Sequence, residues 1–194
     1  MKSLTVIIPS RNERPITKTL NSLQRQTFQD FVTVVQPDFG NGGNWARNKG
    51  FEACRTEYVL FCDDDIDWMP DGIEAMVDTL DATPDAAYSY GSYQADVRGR
   101  LHLISDRQFD PVALRKNNFV STMSVIRSDL FPGFDENLKR LQDWDLWLTM
   151  LEQGHVGKHC GKIIFRTVTD PKGVTFGTIP WPEAYAAIRK KHPV

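Results

Sequence analysis

The sequence predicts an α/β fold in which helices flank a mixed, mainly parallel sheet within a single domain. The first half alternates strand and helix patterns three times, which is typical of right-handed βαβ units. The run from Tyr58 to Cys62 is apolar throughout, as expected for a parallel strand covered on both faces. With 194 residues, of which 41% are hydrophobic, the chain is long enough to build one core.

The first half is predicted to hold three strands and three helices. The strands are Leu4 to Ile8, Phe31 to Val35 and Tyr58 to Cys62. The helices are one that opens near Pro15, a short one over Trp45 to Cys54 and one that opens at Pro70. Apolar residues at helical spacing predict the buried faces of the first and third helices. They are Ile16, Leu20 and Leu23, then Ile73, Met76, Val77 and Leu80.

The second half predicts a hairpin, three helices and two further strands. The hairpin pairs Tyr88 to Ala95 with Leu101 to Ser105 around a turn at Arg98-Gly99. The strands are Phe119 to Ile126 and Gly161 to Val168. The helices are one capped by Asp110-Pro111, one over Gln142 to Gln153 and one near Pro182 to Lys191. In the second of these, Trp144, Trp147, Leu148 and Leu151 share a face and Gly154 ends the helix.

Composition excludes several classes of protein. The 23 Lys and Arg residues against 25 Asp and Glu give a net charge of −2, so we expect no nucleic-acid partner. The longest apolar runs are far shorter than the roughly 20 residues of a membrane span, and the first residues lack the layout of a signal peptide. Three cysteines without metal-type spacing favour a reducing compartment. We therefore expect a cytoplasmic protein with no integral membrane segment.

Three successive carboxylates, Asp63 to Asp65, directly follow the third predicted strand. Their mutual repulsion gives the fold no stability, and α/β sheets bind ligands in the crevice outside the carboxyl ends of their strands. Carboxylates there can hold a hard divalent cation, which offsets the repulsion and neutralises phosphates. A solvated loop that merely caps the next helix is the alternative.

A second acidic pair, Asp143 and Asp145, opens the helix that starts at Gln142. The helix dipole favours acidic residues there, so capping is one interpretation. The other is a general base whose pKa is set by local charge and burial. Asp143 lies one turn before Trp147, at the edge of the apolar face of the helix. Asp145 lies off that face and is predicted to support or cap the helix.

The segment Gly40 to Gly50 combines glycines with two cations, Arg47 and Lys49. Glycines permit a close approach of backbone, and cations at a helix start can meet a phosphate. The glycine pattern fits neither a Walker loop nor a dinucleotide fingerprint.

Five motifs together resemble glycosyltransferase family 2, an inverting family with the GT-A fold, and the resemblance covers about residues 3 to 168. Each motif alone is modest, but they occur in the order and with the spacing of the family. They are Thr5-Val-Ile-Ile-Pro9-Ser-Arg-Asn12, Leu20-Asn-Ser-Leu23-Gln-Arg-Gln26-Thr27, Ala46-Arg-Asn-Lys-Gly50, Phe61-Cys-Asp-Asp-Asp65 with Pro70, and Gly133-Phe-Asp-Glu136 with Gln142-Asp-Trp-Asp-Leu-Trp147.

The resemblance implies a role for each matching residue. Asp65 would be the direct ligand of Mn²⁺ or Mg²⁺, Asp63 would support the metal site, and Asp64 would meet the ribose or the donor sugar. Asp143 matches the acidic residue that deprotonates the acceptor hydroxyl. The remaining positions are Pro9, Arg11, Asn12, Asp38 and Arg47 beside the nucleotide, and Thr122 and Trp144 in the region that faces donor sugar and acceptor. The ring of Trp144 is first of all a core or cleft-wall aromatic, with stacking on a sugar as the second interpretation.

The implied reaction is a metal-dependent, inverting transfer of a sugar from a nucleoside diphosphate to a hydroxyl of a glycan or another acceptor. UDP-sugars are favoured as donors, with GDP- and dTDP-sugars as alternatives. The nucleotide-sugar-binding half would be residues 1–96 and the acceptor-binding half residues 97–194.

Three departures from the family limit these expectations. Gln36 or Asp38 stands where the family commonly has a base-reading Asp, which leaves the nucleotide open. Gln142 replaces a common Glu, and the segment 165–169 lacks the common nearby His, so a third protein ligand for the metal has no support there.

Two other functions remain open from the sequence. One is a degenerate GT-A domain that binds a nucleotide sugar or a partner without turnover, which the departure at Gln36 motivates. The other is an Asp-x-Asp phosphohydrolase of the haloacid dehalogenase type. Residues Asp63 to Asp67 lack its usual Thr or Val at the fifth position and follow the third strand rather than the first.

Overall fold

The computed structural model describes residues 3–11, 15–97, 100–168 and 179–193. Within these ranges, eight strands form one sheet and six α-helices pack around it. The strands are β1 (Leu4–Ser10), β2 (Phe31–Pro37), β3 (Tyr58–Phe61), β4 (Ile66–Trp68), β5 (Ala86–Val97), β6 (Arg100–Ile104), β7 (Val125–Arg127) and β8 (Val156–Val168). The helices are α1 (Thr17–Gln24), α2 (Gly43–Phe51), α3 (Gly72–Ala82), α4 (Pro111–Lys116), α5 (Gln142–Glu152) and α6 (Trp181–Lys191).

The sheet is mixed, and its parallel part comes first along the chain. Strand β1 lies between β2 and β3 and runs parallel to both, which confirms the predicted βαβ units. The order then continues β7, β5, β8 and β4, with β6 paired to β5. Strand β7 is antiparallel to β3 and β5, while β8 is parallel to β5. The carboxyl ends of β1, β2 and β3 therefore lie side by side at one edge of the sheet.

The two faces of the sheet carry separate apolar clusters. Ile8 belongs to one cluster and Ile7 to the other, as the alternation of side chains along a strand requires. The first cluster includes the predicted face of α3, and the second includes Trp144 and Trp147 of α5. Burial of these apolar faces, each in a region predicted to be core, is the main force that fixes the helices on the sheet.

Helix α1 begins at Thr17, two residues after Pro15, and buries a face that the apolar pattern did not predict. Leu23 is buried as expected, but Ile16 and Leu20 are only half-buried. The hydroxyl of Thr19 donates to the Ile66 carbonyl and accepts from the Ile66 N–H, both at 3.1 Å. Ile66 starts β4, the unpredicted strand at the end of the sheet, so side chains of α1 satisfy backbone groups on the free side of that edge strand.

The predicted strand Phe119 to Ile126 is wrong over most of its length, because only residues 125–127 pair in the sheet. The Ser121 hydroxyl accepts from the Met123 N–H at 3.2 Å, and the Ser124 hydroxyl donates to the Ser121 carbonyl at 2.7 Å. These local bonds replace the ladder bonds of a strand.

The predicted hairpin and the cap of α4 are confirmed, whereas β8 begins at Val156 and not at the predicted Gly161. Strands β5 and β6 form the hairpin, whose turn at Arg98-Gly99 lies outside the described residues. Asp110 caps α4 by accepting from two N–H groups at 2.9 and 3.0 Å.

Among the described helices, none combines the length and the apolar character needed to cross a bilayer.

Candidate active site

Helix α2 brings a buried arginine to the acidic loop that follows β3. Arg47 is 6% exposed, and its Nη2 donates to Asp63 Oδ1 at 2.7 Å. Its Nη1 donates to Asn44 Oδ1 at 3.2 Å, and its guanidinium carbon lies 5.4 Å from the ring centre of Phe134. Its Nε has no hydrogen-bond partner within the described part of the chain. Two residues predicted from separate motifs, Arg47 and Asp63, thus form one charged pair.

Two asparagines on the same side of α2 hold the segment that carries Phe134. Asn44 Nδ2 donates to the carbonyls of Asp135 and Leu138 at 2.8 and 3.0 Å. Asn48 bonds the backbone of Phe134 in both directions, with its Oδ1 accepting at 2.8 Å and its Nδ2 donating at 2.9 Å. No motif in the sequence indicates a role for either asparagine. Their i, i+4 spacing, with Arg47 between them, was the available signal.

Asp143 lies in the first turn of α5, close to the Arg47–Asp63 pair. Burial raises the pKa of Asp143, the charge of Asp63 raises it further, and the charge of Arg47 lowers it. Its Oδ1 accepts from the Trp144 N–H and its Oδ2 from Asn118 Nδ2, both at 2.8 Å. Residues that are far apart in the sequence are therefore within electrostatic reach of one another in the fold.

The backbone in front of α5 has an unusual conformation. Leu141, the residue before the helix, has φ +60° and ψ +25°, in the left-handed region that non-glycine residues seldom adopt. Such conformations persist only where the surrounding structure fixes them. The conformation of Leu141 sets the direction in which the first turn, with Asp143, enters the site.

The acidic loop after β3 fits a metal that is shared with a substrate. Asp64 and Asp65 follow Asp63 in the same loop and are partly exposed. Across the described ranges, no three or more His, Cys, Asp or Glu side chains group closely enough to hold a metal ion. Mg²⁺ is commonly held by one or two carboxylates together with substrate phosphates, and carboxylates of this loop have the chemistry for such a site. Asp67 lies outside this set, because it pairs with Arg25 at 3.2 Å on the surface.

The predicted nucleotide residues lie where β1 and β2 end. Pro9 pairs in register with Gln36, and the Asp38 N–H donates to the Ser10 carbonyl at 2.9 Å. Asp38 Oδ1 accepts from the Gly40 N–H at 3.0 Å, which closes a turn. Arg11 is exposed at the end of β1, and Asn12 lies outside the described residues.

The two residues predicted to face the sugars, Trp144 and Thr122, lie inside the protein. Trp144 is 1% exposed, and its indole N–H donates to the Leu114 carbonyl at 2.7 Å. The hypothesis that its ring stacks on a sugar is wrong for this structure, since Tyr185 packs against the ring, and its interpretation as a core aromatic is confirmed. Thr122 is also buried, and its carbonyl accepts from the Ser124 N–H at 2.8 Å. The assignment of Thr122 to the sugar region stays a prediction.

Asp145 joins α5 to α6. It is 2% exposed and accepts from Lys191 Nζ and His192 Nε2 at 2.8 and 2.9 Å. Lys191 also contacts Asp135 at 2.8 Å and thereby lowers the pKa of that carboxyl. Burial opposes the charge of Lys191, yet its hydrogen bonds to both carboxylates raise its pKa. This agrees with the predicted supporting role of Asp145.

Comparison with known protein families shows which family this chain belongs to. A sequence model described as glycosyl transferase family 2 matches residues 28–131, which is more than half of the chain. The chain belongs to glycosyltransferase family 2. The match contains the acidic loop, Arg47 and Asn118, whereas Asp143 lies beyond its end.

Two curated relatives are described as glycosyltransferases. An uncharacterized glycosyltransferase from Haemophilus influenzae is 21% identical, with 77% of this chain and 62% of the relative covered. A putative teichuronic acid biosynthesis glycosyltransferase, TuaG, from Bacillus subtilis is 24% identical, with 68% and 54% covered. The chain therefore spans between half and two thirds of the length of these relatives.

Solved structures with the same fold are known in complex with nucleotide sugars. Staphylococcus aureus TarS 1-349 with UDP-GlcNAc superposes with a TM-score of 0.78 at 17% identity, covering 97% of this chain and 65% of that chain. The mannosyltransferase PcManGT from Pyrobaculum calidifontis, with GDP-Man and Mn²⁺, gives 0.63 at 16% identity, covering 97% and 61%. These likenesses confirm the GT-A fold.

Proposed function

We propose that this chain is a metal-dependent inverting glycosyltransferase that moves a sugar from a nucleoside diphosphate to an acceptor hydroxyl. One observation carries the proposal. Asp143, a carboxyl group whose pKa is raised, lies within electrostatic reach of the Arg47–Asp63 pair, and Asp63 follows the carboxyl end of β3. Inversion needs a base on the acceptor side and neutralisation of the negative charge on the leaving diphosphate, and these residues include groups suited to both tasks.

Asp143 acts as the general base. As the acceptor oxygen forms its bond to the anomeric carbon, its proton passes to the Asp143 carboxylate, and the bond from that carbon to the diphosphate oxygen breaks. The electron pair of the broken bond leaves with the nucleoside diphosphate. A raised pKa suits this task, because a carboxylate that binds a proton more readily is a better base near neutral pH.

The acidic loop binds the diphosphate end of the donor. Asp65, with Asp63 in support, would hold a divalent cation, which when bound neutralises the charge that develops on the leaving diphosphate. Asp64 contacts the ribose or the donor sugar. Arg47 keeps Asp63 in place and adds a fixed positive charge to the same region.

The donor is a nucleotide sugar, and UDP-sugars are favoured. Support comes from the neighbours in fold, since TarS is described with UDP-GlcNAc and PcManGT with GDP-Man and Mn²⁺. Pro9, Arg11, Asn12 and Asp38 are assigned to the nucleotide side, and the acceptor is a hydroxyl of a glycan or another molecule. We keep the cytoplasm as the proposed location.

Calorimetric titration with UDP-GlcNAc, GDP-mannose and dTDP-glucose, with and without Mn²⁺, tests donor binding. Release of nucleoside diphosphate in the presence of p-nitrophenyl glycosides as acceptors then tests turnover. We expect Asp143→Asn to bind the donor like the wild type while its turnover falls about 10²- to 10⁴-fold. Donor binding without any turnover in the wild type would favour the degenerate domain, and normal turnover by Asp143→Asn would refute the assignment of the base.

A further inference from the structure

The Asn118 side chain, which lies outside helix α5, donates a hydrogen bond to the Asp143 carboxylate at the start of that helix. Its Nδ2 donates to Asp143 Oδ2 at 2.8 Å, while Asp143 Oδ1 is taken by the N–H of the next residue, Trp144, at the same distance. Asn118 lies in the irregular segment between α4 and β7, one residue before the stretch that the sequence wrongly predicts to be a strand. No motif in the sequence drew attention to it.

The segment around Asn118 has anchors that do not involve Asp143. Asn118 Oδ1 accepts from the Val120 N–H at 3.0 Å, and its Nδ2 also approaches the Val120 carbonyl at 3.1 Å. The same carbonyl accepts from the indole N–H of Trp147 at 2.9 Å, which fastens the segment to α5. The turn is therefore closed through Val120, and the bond to Asp143 is additional to what the turn needs.

We propose that Asn118 is a positioning residue that fixes the Asp143 carboxylate for proton abstraction. The inference rests on the proposed role of Asp143 as the base. A carboxylate held at one oxygen by its own helix backbone keeps rotational freedom about its side chain, and the second bond, from a different element, removes it. A base must meet the acceptor oxygen within hydrogen-bond reach, so loss of this alignment reduces the rate of transfer.

The chemical nature of the hydrogen-bond donor, the Asn118 amide, matters as much as its position. A neutral amide stabilises the carboxylate form, but it does not pair with it as a lysine or arginine would. The other titratable or charged groups that act on this carboxyl are Asp63 and Arg47, and burial together with the charge of Asp143 raises the pKa of Tyr93 nearby. Asn118 thus orients the carboxylate and leaves it basic.

Two variants separate the positioning bond from the turn. Asn118→Asp keeps an oxygen that can accept from the Val120 N–H, but it replaces the donor to Asp143 with a second carboxylate. Asn118→Ser can also accept from Val120, while its hydroxyl is too short to reach Asp143. Asn117→Asp, at the exposed neighbouring position, is the matched control for the added charge.

We expect kcat for nucleoside diphosphate release to fall about 10- to 100-fold in Asn118→Ser and further in Asn118→Asp. The donor is UDP-GlcNAc or GDP-mannose, whichever binds in the Mn²⁺ titration. KM for the donor and the melting temperature should stay near the wild-type values. The acid limb of the kcat profile should move to higher pH, because loss of an N–H donor to a carboxylate raises its pKa. Asn117→Asp should behave like the wild type.

A double-mutant cycle assigns the effect to Asp143. If Asn118 acts through the base, Asn118→Ser causes no further loss in an Asp143→Asn background. Wild-type kcat and an unmoved pH profile in Asn118→Ser would overturn the inference, as would an equal loss in both backgrounds. Full turnover by Asp143→Asn would instead overturn the proposed base, so the two failures are distinguishable.

Discussion

Asp143 and Asp145 lie in the same helical turn, and their hydrogen-bond partners differ in kind. Asp143 accepts hydrogen bonds from two neutral donors, the Asn118 amide and the Trp144 backbone, and its pKa is raised. Asp145 is fully enclosed and lies against Lys191 and His192. A lysine and a histidine thus contact Asp145, whereas neutral donors hold Asp143, whose pKa is raised by burial.

The difference separates a structural carboxylate from a functional one. Sequence position cannot do this, since both residues are acidic and both begin a helix, where acidic residues are common. Only the partners from α6 and from the segment before β7 distinguish them. The proposed base therefore depends on its neighbours for its chemistry, and the following substitutions test that dependence.

The largest expected effect is on turnover. Asp143→Asn should lower kcat about 10²- to 10⁴-fold, while Asp145→Asn should keep turnover within a few-fold of the wild type in protein that remains folded. Initial rates of nucleoside diphosphate release, normalised to the folded fraction from circular dichroism, provide the measurement. Equal losses in the two variants would remove the distinction between the two residues.

The next effect concerns the cation that faces Asp143. Arg47→Met should lower kcat/KM roughly 10- to 100-fold, because it removes a fixed charge from the proposed diphosphate site and leaves Asp63 without its partner. Since the charge of Arg47 lowers the pKa of Asp143, its loss should also shift the acid limb of the rate profile to higher pH. Arg47→Lys is the control that keeps the charge but not the guanidinium geometry. An unchanged donor affinity and pH profile in Arg47→Met would contradict this view of the site.

A smaller effect is expected on stability. Asp145→Ala should lower the free energy of unfolding by about 1–3 kcal/mol, because Lys191 and His192 lose the buried carboxylate that pairs them to α5. Urea denaturation followed by tryptophan fluorescence measures it. Glu183→Ala, at an exposed site in the first turn of α6, is the control and should change stability little. A stability loss of the same size in both variants would argue against a stabilising role for the clasp, by which we mean the contacts of Asp145 with Lys191 and His192.

The smallest expected effect has the opposite sign. The folded pKa of Asp143 lies above its unfolded value, so the charged form disfavours folding at neutral pH, and this penalty disappears as the pH falls below the unfolded pKa. Asp143→Asn should therefore raise the melting temperature slightly at pH 7–8 and not at pH 3. Asp135 titrates in the reverse sense, since its pKa is lowered and its stabilising contact is lost in acid. A melting temperature that falls at pH 7–8 in Asp143→Asn would contradict the raised pKa.

The sequence predicts the parts of the fold that rest on local apolar patterns. The faces of α3 and α5, the apolar β3 and the cap of α4 are confirmed, because each depends on residues close together in the chain. The buried face of α1 escaped prediction because its Thr19 serves a backbone edge that only the folded sheet creates. The interpretation of 119–126 as a strand failed for a related reason, since serine side chains there bond the local backbone.

The candidate site shows the same limit. Motifs in the sequence predict Arg47, Asp63 and Asp143 separately, but only the tertiary structure brings them within electrostatic reach of one another. The sequence does not predict the roles of three asparagines, Asn44, Asn48 and Asn118. Asparagine is common in loops and at helix ends, and local spacing does not indicate a hydrogen-bond partner that lies far along the chain. Trp144 was placed correctly by its helical spacing, and the resemblance to the family alone suggested an outward role.

The clasp on Asp145 also has a consequence for the order of biosynthesis. Lys191 and His192 lie 46 and 47 residues after Asp145 in the chain, so a ribosome adds them roughly 2–10 s later at about 5–20 residues per second. Until α6 has been translated and has docked, Asp145 lacks these two hydrogen-bond partners. The last partners of Asp145 therefore leave the ribosome only after all eight described strands of the sheet have been translated.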